Sequence, residues 1–170
     1  MAITNKRGIS DLVTTVLLVL ITIVAVGILY ASVMPLIKTN IEKTKQCNDV
    51  AMEVVTEGGY TCYLDNGEVE VQVSRGPSDV ELYGIQIQLS GGGISKTFNI
   101  YNGTTSNNIK LLDGNYDEEL ELPGKNEALT YVIKSGLSDF EKVAVAPILK
   151  IGKKEEMCSI LSSVSLSECA

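Results

Sequence analysis

The sequence predicts an α+β protein, in which a long N-terminal hydrophobic helix is followed by an antiparallel β-sandwich; an immunoglobulin-like arrangement is one candidate topology. Two observations support this fold class. Residues 12–37 carry no charge and are mostly Leu, Val and Ile. From Val50 onwards, apolar residues alternate with polar ones at the period of two that is typical of strands. We therefore assign residues 9–46 to the helix and residues 47–170 to an exported β-rich domain.

The uncharged stretch is long enough to cross a membrane. As an α-helix, its roughly 26 residues extend about 39 Å, whereas a hydrocarbon core of roughly 30 Å needs about 20 residues. A cleaved secretory signal would have a shorter apolar region with a small-residue cleavage site after it. A plain signal anchor fits the length, with Lys6 and Arg7 retained in the cytoplasm.

The residues that precede the apolar stretch favour a third kind of signal. The segment Lys6-Arg7-Gly8-Ile9-Ser10-Asp11, followed directly by the apolar run, resembles the N-terminus of archaeal type IV pilins. The resemblance implies that residues 1–8 are a class III leader, recognised through Lys6 and Arg7 and cut between Gly8 and Ile9 by a prepilin peptidase. Residues 122–125 and 143–151 are similar to stretches of such pilins, but less specifically.

The same resemblance implies a function and a location. The expected protein is a structural subunit of a surface filament for adhesion, held in the cell membrane as a precursor and then assembled outside the cell. Its partners would be other copies of itself, joined through their N-terminal helices, and the pilus assembly machinery. Two alternatives stay open: a membrane-anchored β-sandwich that binds a partner without polymerising, and an archaellin-like subunit of a motility filament.

Asp11 is the only acidic residue in or beside the apolar run. Ser10 and Asp11 suit the start of a helix, as an N-cap and as a charge that favours the positive end of the helix dipole. A carboxylate near lipid is costly unless it is paired. Two hypotheses follow: Asp11 stays at the headgroup boundary, or it pairs in the filament with the α-amine of Ile9 that cleavage frees.

Alternation and turn residues predict seven or eight short strands. In two segments every second residue is apolar, which predicts one buried face for each strand. These residues are Val50, Met52 and Val54 in the first segment and Val69, Val71 and Val73 in the second. Asn66-Gly67 and the glycines at 91–93 indicate hairpin turns, since no helix follows to make the second a phosphate loop. The apolar parity changes at Gly84, which predicts a β-bulge there. Pro147 predicts an edge or interruption in the last long strand.

The four cysteines indicate disulfide bonds. They are Cys47, Cys62, Cys158 and Cys169, and none forms the close pair that a zinc site requires. An even number in an exported domain suggests two disulfides with three possible connectivities. The simplest pairing is local, Cys47 with Cys62 and Cys158 with Cys169.

The amino-acid composition argues against catalysis and against nucleic-acid binding. The chain has no His and carries a net charge of −7, which removes histidine-based catalysis and any electrostatic reason to bind nucleic acid. We expect no enzymatic activity and no cofactor. A weak calcium candidate is formed by Asp113, Asn115 and Asp117, whose spacing matches the start of a calcium loop that the following residues do not continue.

Asn102 is the acceptor of the Asn-Gly-Thr sequon at residues 102–104. It follows a predicted strand at a turn, where a glycan would be exposed. We expect glycosylation at this residue in an exported copy of the chain.

Overall fold

The computed structural model describes the backbone of residues 7–152 and 154–169, with side chains from Val13 onwards. It confirms the predicted fold class, a long N-terminal helix followed by antiparallel sheets. The chain divides into two compact units, Met1–Ile41 and Glu42–Ala170.

Helix α1 spans Arg7–Asp49. It begins before Ser10, so Ser10 does not cap the helix as predicted, and it ends three residues beyond the predicted boundary. Pro35 lies inside α1 without ending it. The Thr39 hydroxyl donates a hydrogen bond to the Pro35 carbonyl at 3.0 Å.

The strands of the described residues form two larger sheets and one small one, and every ladder is antiparallel. One sheet has the order β1-β3-β9-β7 with β2 also on β3, and the other has the order β11-β10-β4-β5 with β12 also on β10. Strands β6 and β8 pair with each other. The bounds are β1 Met52–Val54, β2 Cys62–Tyr63, β3 Glu68–Arg75, β4 Leu82–Gly91, β5 Ile94–Tyr101, β6 Thr104–Thr105, β7 Ile109–Leu111, β8 Glu119–Leu120, β9 Glu127–Lys134, β10 Lys142–Ile151, β11 Lys154–Met157 and β12 Ser162–Ser165.

The core lies between the two larger sheets. The predicted row of β3 is inside: Val69, Val71 and Val73 are fully buried, and the inward residues of β4 and β10 are also buried. Each such side chain contributes about 1.5–3 kcal/mol when it leaves water. Tyr131 is the largest fully buried side chain, and its hydroxyl donates to the Glu121 carbonyl at 2.7 Å. Burial raises the pKa of this hydroxyl, so it remains a donor.

The predicted bulge is present at the start of β4. The register against β10 shifts so that Ile148 faces Gly84 while Leu149 faces Leu82. The extra residue places Leu82 on the same buried face as Ile85, as the parity change predicted.

The prediction that Pro147 marks an edge or an interruption of its strand is wrong, because β10 runs unbroken through Pro147. Strand β10 is internal, with β4 on one side and both β11 and β12 on the other. The Pro147 carbonyl accepts from the Cys158 N–H, and in an antiparallel strand a residue directs its nitrogen and its carbonyl to the same side. Its missing N–H therefore faces the gap between β11 and β12, where no ladder bond is lost.

Both predicted hairpin turns are confirmed. Gly67 has a φ of +81° in the β2–β3 turn, and Gly92 and Gly93 have φ of +58° and +76° in the β4–β5 turn. Two successive positive φ values are what a type I′ hairpin turn requires, and glycine adopts them without steric cost.

Candidate assembly helix and surface sites

The first part of α1 has an uncovered apolar surface. Its large apolar side chains between residues 13 and 36 are exposed by as much as 66%, and Val13–Asp49 is long and apolar enough to cross a membrane. A membrane anchor and an export signal both meet this test. A surface of this kind needs lipid or other helices around it.

The hydroxyl groups of this segment are compatible with an apolar environment. The Thr22 hydroxyl donates to the Val19 carbonyl at 2.8 Å, and the Ser32 hydroxyl donates to the Ile28 carbonyl at 2.9 Å. Because these donors are satisfied within the helix, they do not require water.

One face of α1 carries a shallow apolar depression. Its residues are spaced as i, i+3, i+4 and i+7, the pattern that forms a hole for a side chain of a partner helix. Two such holes overlap along the face, and they are formed by Leu17, Leu20, Ile21, Val24, Ala25 and Ile28.

The predicted processing site lies at the limit of the described residues. Lys6 is outside them. Arg7, Gly8, Ile9 and Asp11 are helical, but their side chains lie outside the described part. Cleavage after Gly8, recognition through Lys6 and Arg7, and the pairing of Asp11 all stay predictions.

All four cysteines are in disulfide bonds, but the predicted local pairing is wrong. The bonds join Cys47 to Cys158 and Cys62 to Cys169, with Cα–Cα distances of 5.6 Å and 5.0 Å. The C-terminal segment determines this pairing, because it returns beside β2. The Tyr63 N–H donates to the Ser167 carbonyl, and the Cys169 N–H donates to the Tyr63 carbonyl.

An ion pair that the sequence pattern did not predict accompanies the first disulfide. Lys43 Nζ lies 2.6 Å from a carboxylate oxygen of Glu156, two residues before Cys158. The hydrogen bond from Lys43 lowers the pKa of Glu156. These contacts and the Cys47–Cys158 bond tie the C-terminal turns of α1 to β11.

The calcium candidate in the acidic loop of residues 113–117 stays a prediction. Asp113, Asn115 and Asp117 are all exposed, and the Asn115 backbone and side-chain N–H groups both donate to Glu118. The one described group of three Cys, Asp or Glu residues close enough to share an ion is Cys62, Glu70 and Cys169. Its two sulfur atoms are bonded to each other, so they are not thiolate ligands.

Tyr116 holds the same acidic loop against the sheet. Its hydroxyl donates to Glu68 Oε1 at 2.7 Å, and Lys134 Nζ lies 3.5 Å from the centre of its ring. The hydrogen bond from Tyr116 lowers the pKa of Glu68 below its ordinary 4.5; burial opposes this change, while Asn66 and Lys134 add to it.

The lowered pKa predicts an acid-sensitive contribution to stability. Above pH 4.5 the native carboxylate is stabilised relative to the unfolded one, and this advantage is lost as the pH falls through the lowered native pKa. We expect Glu68→Gln to lower the unfolding free energy by about 1–3 kcal/mol at pH 7 and by nearly nothing at pH 2. Denaturant midpoints measured from pH 7 to pH 2 test this.

Tyr116→Phe is the matched variant, because it removes the largest cause of the shift and keeps the ring. The pH dependence of its stability should be shallower than that of the wild type. An unchanged difference between wild type and Glu68→Gln across the whole range would contradict the assignment.

The sequon lies at an exposed turn. Asn102 and Gly103 connect β5 to β6, and both are exposed. Gly103 has a φ of +72°, and the Thr104 hydroxyl donates to the Tyr101 carbonyl at 2.8 Å. The side chain of Asn102 is accessible to an attached glycan, and its glycosylation stays a prediction.

Comparison of the chain with models of known protein families and with curated proteins gave no match. The pilin resemblance therefore depends on the N-terminal residues themselves.

Proposed function

We propose that this chain is the structural subunit of an archaeal type IV pilus-like surface filament. The observation that carries the proposal is the uncovered apolar surface of α1, which follows directly after Lys6-Arg7-Gly8-Ile9. In this proposal, cleavage after Gly8 releases the helix from its leader. The helices of many copies then pack together and the β-domains coat the filament.

The physical cost of this assembly is low. Lipid tails and the Leu, Val and Ile side chains of a neighbouring helix are about equally apolar, so transfer from membrane to bundle needs only good packing. The overlapping holes around Ile21 and Val24 provide packing positions for a second copy. The internally bonded hydroxyls add no desolvation cost.

The β-domain suits exposure at the cell surface. Two disulfide bonds connect parts of the chain more than 100 residues apart, and such bonds persist in oxidising compartments. The acidic composition of the chain favours solubility on the outside of a filament. An adhesive role follows from this position and is part of the proposal.

Replacement of Gly8 by Val is expected to block maturation. Glycine has no side chain, so the Val side chain should obstruct a peptidase that recognises the Lys-Arg-Gly junction. Gly8→Val should therefore accumulate as a full-length membrane precursor without filaments. N-terminal mass spectrometry and electron microscopy of surface filaments measure the two effects.

The wild-type chain is the control, and its N-terminus separates the proposal from the anchored alternative. A mature N-terminus at Ile9 supports the filament subunit. An N-terminus at Met1 or Ala2, or normal filaments from Gly8→Val, would contradict the class III signal and favour a membrane-anchored β-sandwich that does not polymerise.

Asp11→Asn is expected to separate cleavage from assembly. If Asp11 pairs with the freed amine of Ile9 inside the bundle, the amide variant loses that charge pair and leaves an uncompensated amine. The variant should still begin at Ile9 but should stay in the membrane as mature monomer. Wild-type filament yield would limit Asp11 to a role at the headgroup boundary.

A further inference from the structure

A groove of about 680 Å³ opens where β3 ends, β4 begins and β5 ends. Its volume is within the range of small-molecule sites. The lining combines one buried cation, two aromatic rings and two carboxylates. These are Arg75, Tyr83, Tyr101, Glu81 and Glu155.

Arg75 is the last inward residue of β3 and is only 9% exposed. Its Nη2 donates to the Val80 carbonyl at 2.6 Å and its Nη1 to the Pro123 carbonyl at 3.3 Å. Its Nε has no hydrogen-bond partner within the described part of the chain. The Nη bonds to these two carbonyls hold the guanidinium at the wall of the groove, while Nε itself is buried away from the surface.

The aromatic wall is held in place before any ligand arrives. The rings of Tyr83 and Tyr101 meet edge to face with centroids 5.6 Å apart. The Glu155 carboxylate raises the pKa of the nearby Tyr83 hydroxyl, and Lys150 Nζ lies 5.5 Å from the centre of the Tyr83 ring.

Gly84 gives the Tyr101 ring its position. A Cβ atom at residue 84 would lie 2.8 Å from Cδ1 of Tyr101 and 2.9 Å from the Ile100 carbonyl oxygen. The ring therefore packs directly over the backbone of β4, in space that only glycine leaves free.

The charges of the lining select the class of ligand. Glu81 and Glu155 are exposed, and together they outnumber the single cation, so an anionic ligand is disfavoured. A neutral ligand rich in hydroxyl groups fits the carboxylates and the aromatic wall. Its hydroxyls donate to the carboxylates, and an apolar ring face packs on tyrosine.

We propose that this groove binds a neutral pyranose saccharide. The saccharide has two sources: a glycan attached to Asn102, which is itself a lining residue, or a free sugar from the surroundings. The proposal goes beyond the filament function and does not require polymerisation.

Saturation-transfer NMR on the full-length chain tests the proposal. The chain is produced in a host without N-glycosylation and kept in a zwitterionic detergent, because sugar-based detergents would compete. The probes are the methyl pyranosides of glucose, galactose, mannose and N-acetylglucosamine, with methyl glucuronide as the anionic comparison. We expect transfer to at least one neutral probe and weaker transfer to the glucuronide.

Two tyrosine variants provide the matched comparison. Tyr83→Ala should weaken binding about ten-fold, because the aromatic contact is lost. Tyr60→Ala removes a tyrosine that is 46% exposed and does not line the groove, and it should bind as the wild type does. No transfer to any neutral probe, stronger binding of the glucuronide, or equal binding by Tyr83→Ala would overturn the proposal.

The glycosylated chain separates the two sources. If the Asn102 glycan occupies the groove, the glycosylated protein should not bind the free probe, and Asn102→Gln from the same host should regain binding. If the saccharide comes from the surroundings, both proteins should bind equally. This experiment does not measure filament formation, so the binding result is independent of the proposed function.

Discussion

Loss of both disulfide bonds is expected to unfold the globular domain. Their sequence separations are 111 and 107 residues. In the chain-entropy model, a disulfide that closes a loop of about 100 residues raises the free energy of unfolding by about 4.7 kcal/mol. The second bond to form closes a shorter path of about 25 residues, since the first already joins the two ends of the domain. Closing that shorter path raises the free energy of unfolding by about 3.5 kcal/mol.

The sum is about 8 kcal/mol, which is comparable to the whole stability of a typical domain. Removal of one bond alone, by Cys47→Ala with Cys158→Ala, should cost only the smaller amount, about 3.5 kcal/mol. The interleaved pairing thus predicts that either bond alone keeps the domain folded.

Denaturant unfolding followed by tyrosine fluorescence measures these differences, because the chain has no Trp. Peptide mapping without reduction provides the control, and it should yield Cys47 linked to Cys158 and Cys62 linked to Cys169. Peptides that link Cys47 to Cys62, or a domain that is unaffected by full reduction, would contradict this arrangement.

Gly91→Ala is expected to be the most damaging alanine substitution among the described glycines of the β-domain. An added Cβ at residue 91 would overlap the backbone carbonyl of Asp139, and backbone atoms cannot rotate away as a side chain can. The β9–β10 loop would have to move, and with it the buried Leu137 and the Phe140 ring, which stacks on Tyr63 at 5.4 Å. Such overpacking costs about 1–3 kcal/mol, and more where backbone must shift.

Gly93→Ala is the matched control in the same hairpin. Its Cβ would meet nothing within 4 Å, so the cost is only that of a φ of +76°, about 1–2 kcal/mol for an L-residue. We expect the melting temperature of Gly91→Ala to fall clearly below that of Gly93→Ala. The reverse order would indicate that backbone strain, rather than the approach of Asp139, determines the role of this turn.

The alternation of apolar residues predicted the strands well because it is a property of neighbouring positions. Val69, Val71 and Val73 are buried as expected, and the change of parity at Gly84 correctly located the bulge. Pro147 was misjudged because the loss of one N–H matters only on the side where a partner strand lies. The β11–β12 gap that accommodates it is formed by residues from later in the chain.

The sequence by itself determined the helix, the apolar surface of its first part and the two-residue period of the β-domain. Each depends on residues that are close together in the chain and on their transfer from water. Only the tertiary structure decided the disulfide pairing and the meeting of Arg75 with Tyr83 and Tyr101. Those contacts join distant parts of the chain. Which of them form depends on where the C-terminal segment returns and on the order of the strands, and local periodicity predicts neither.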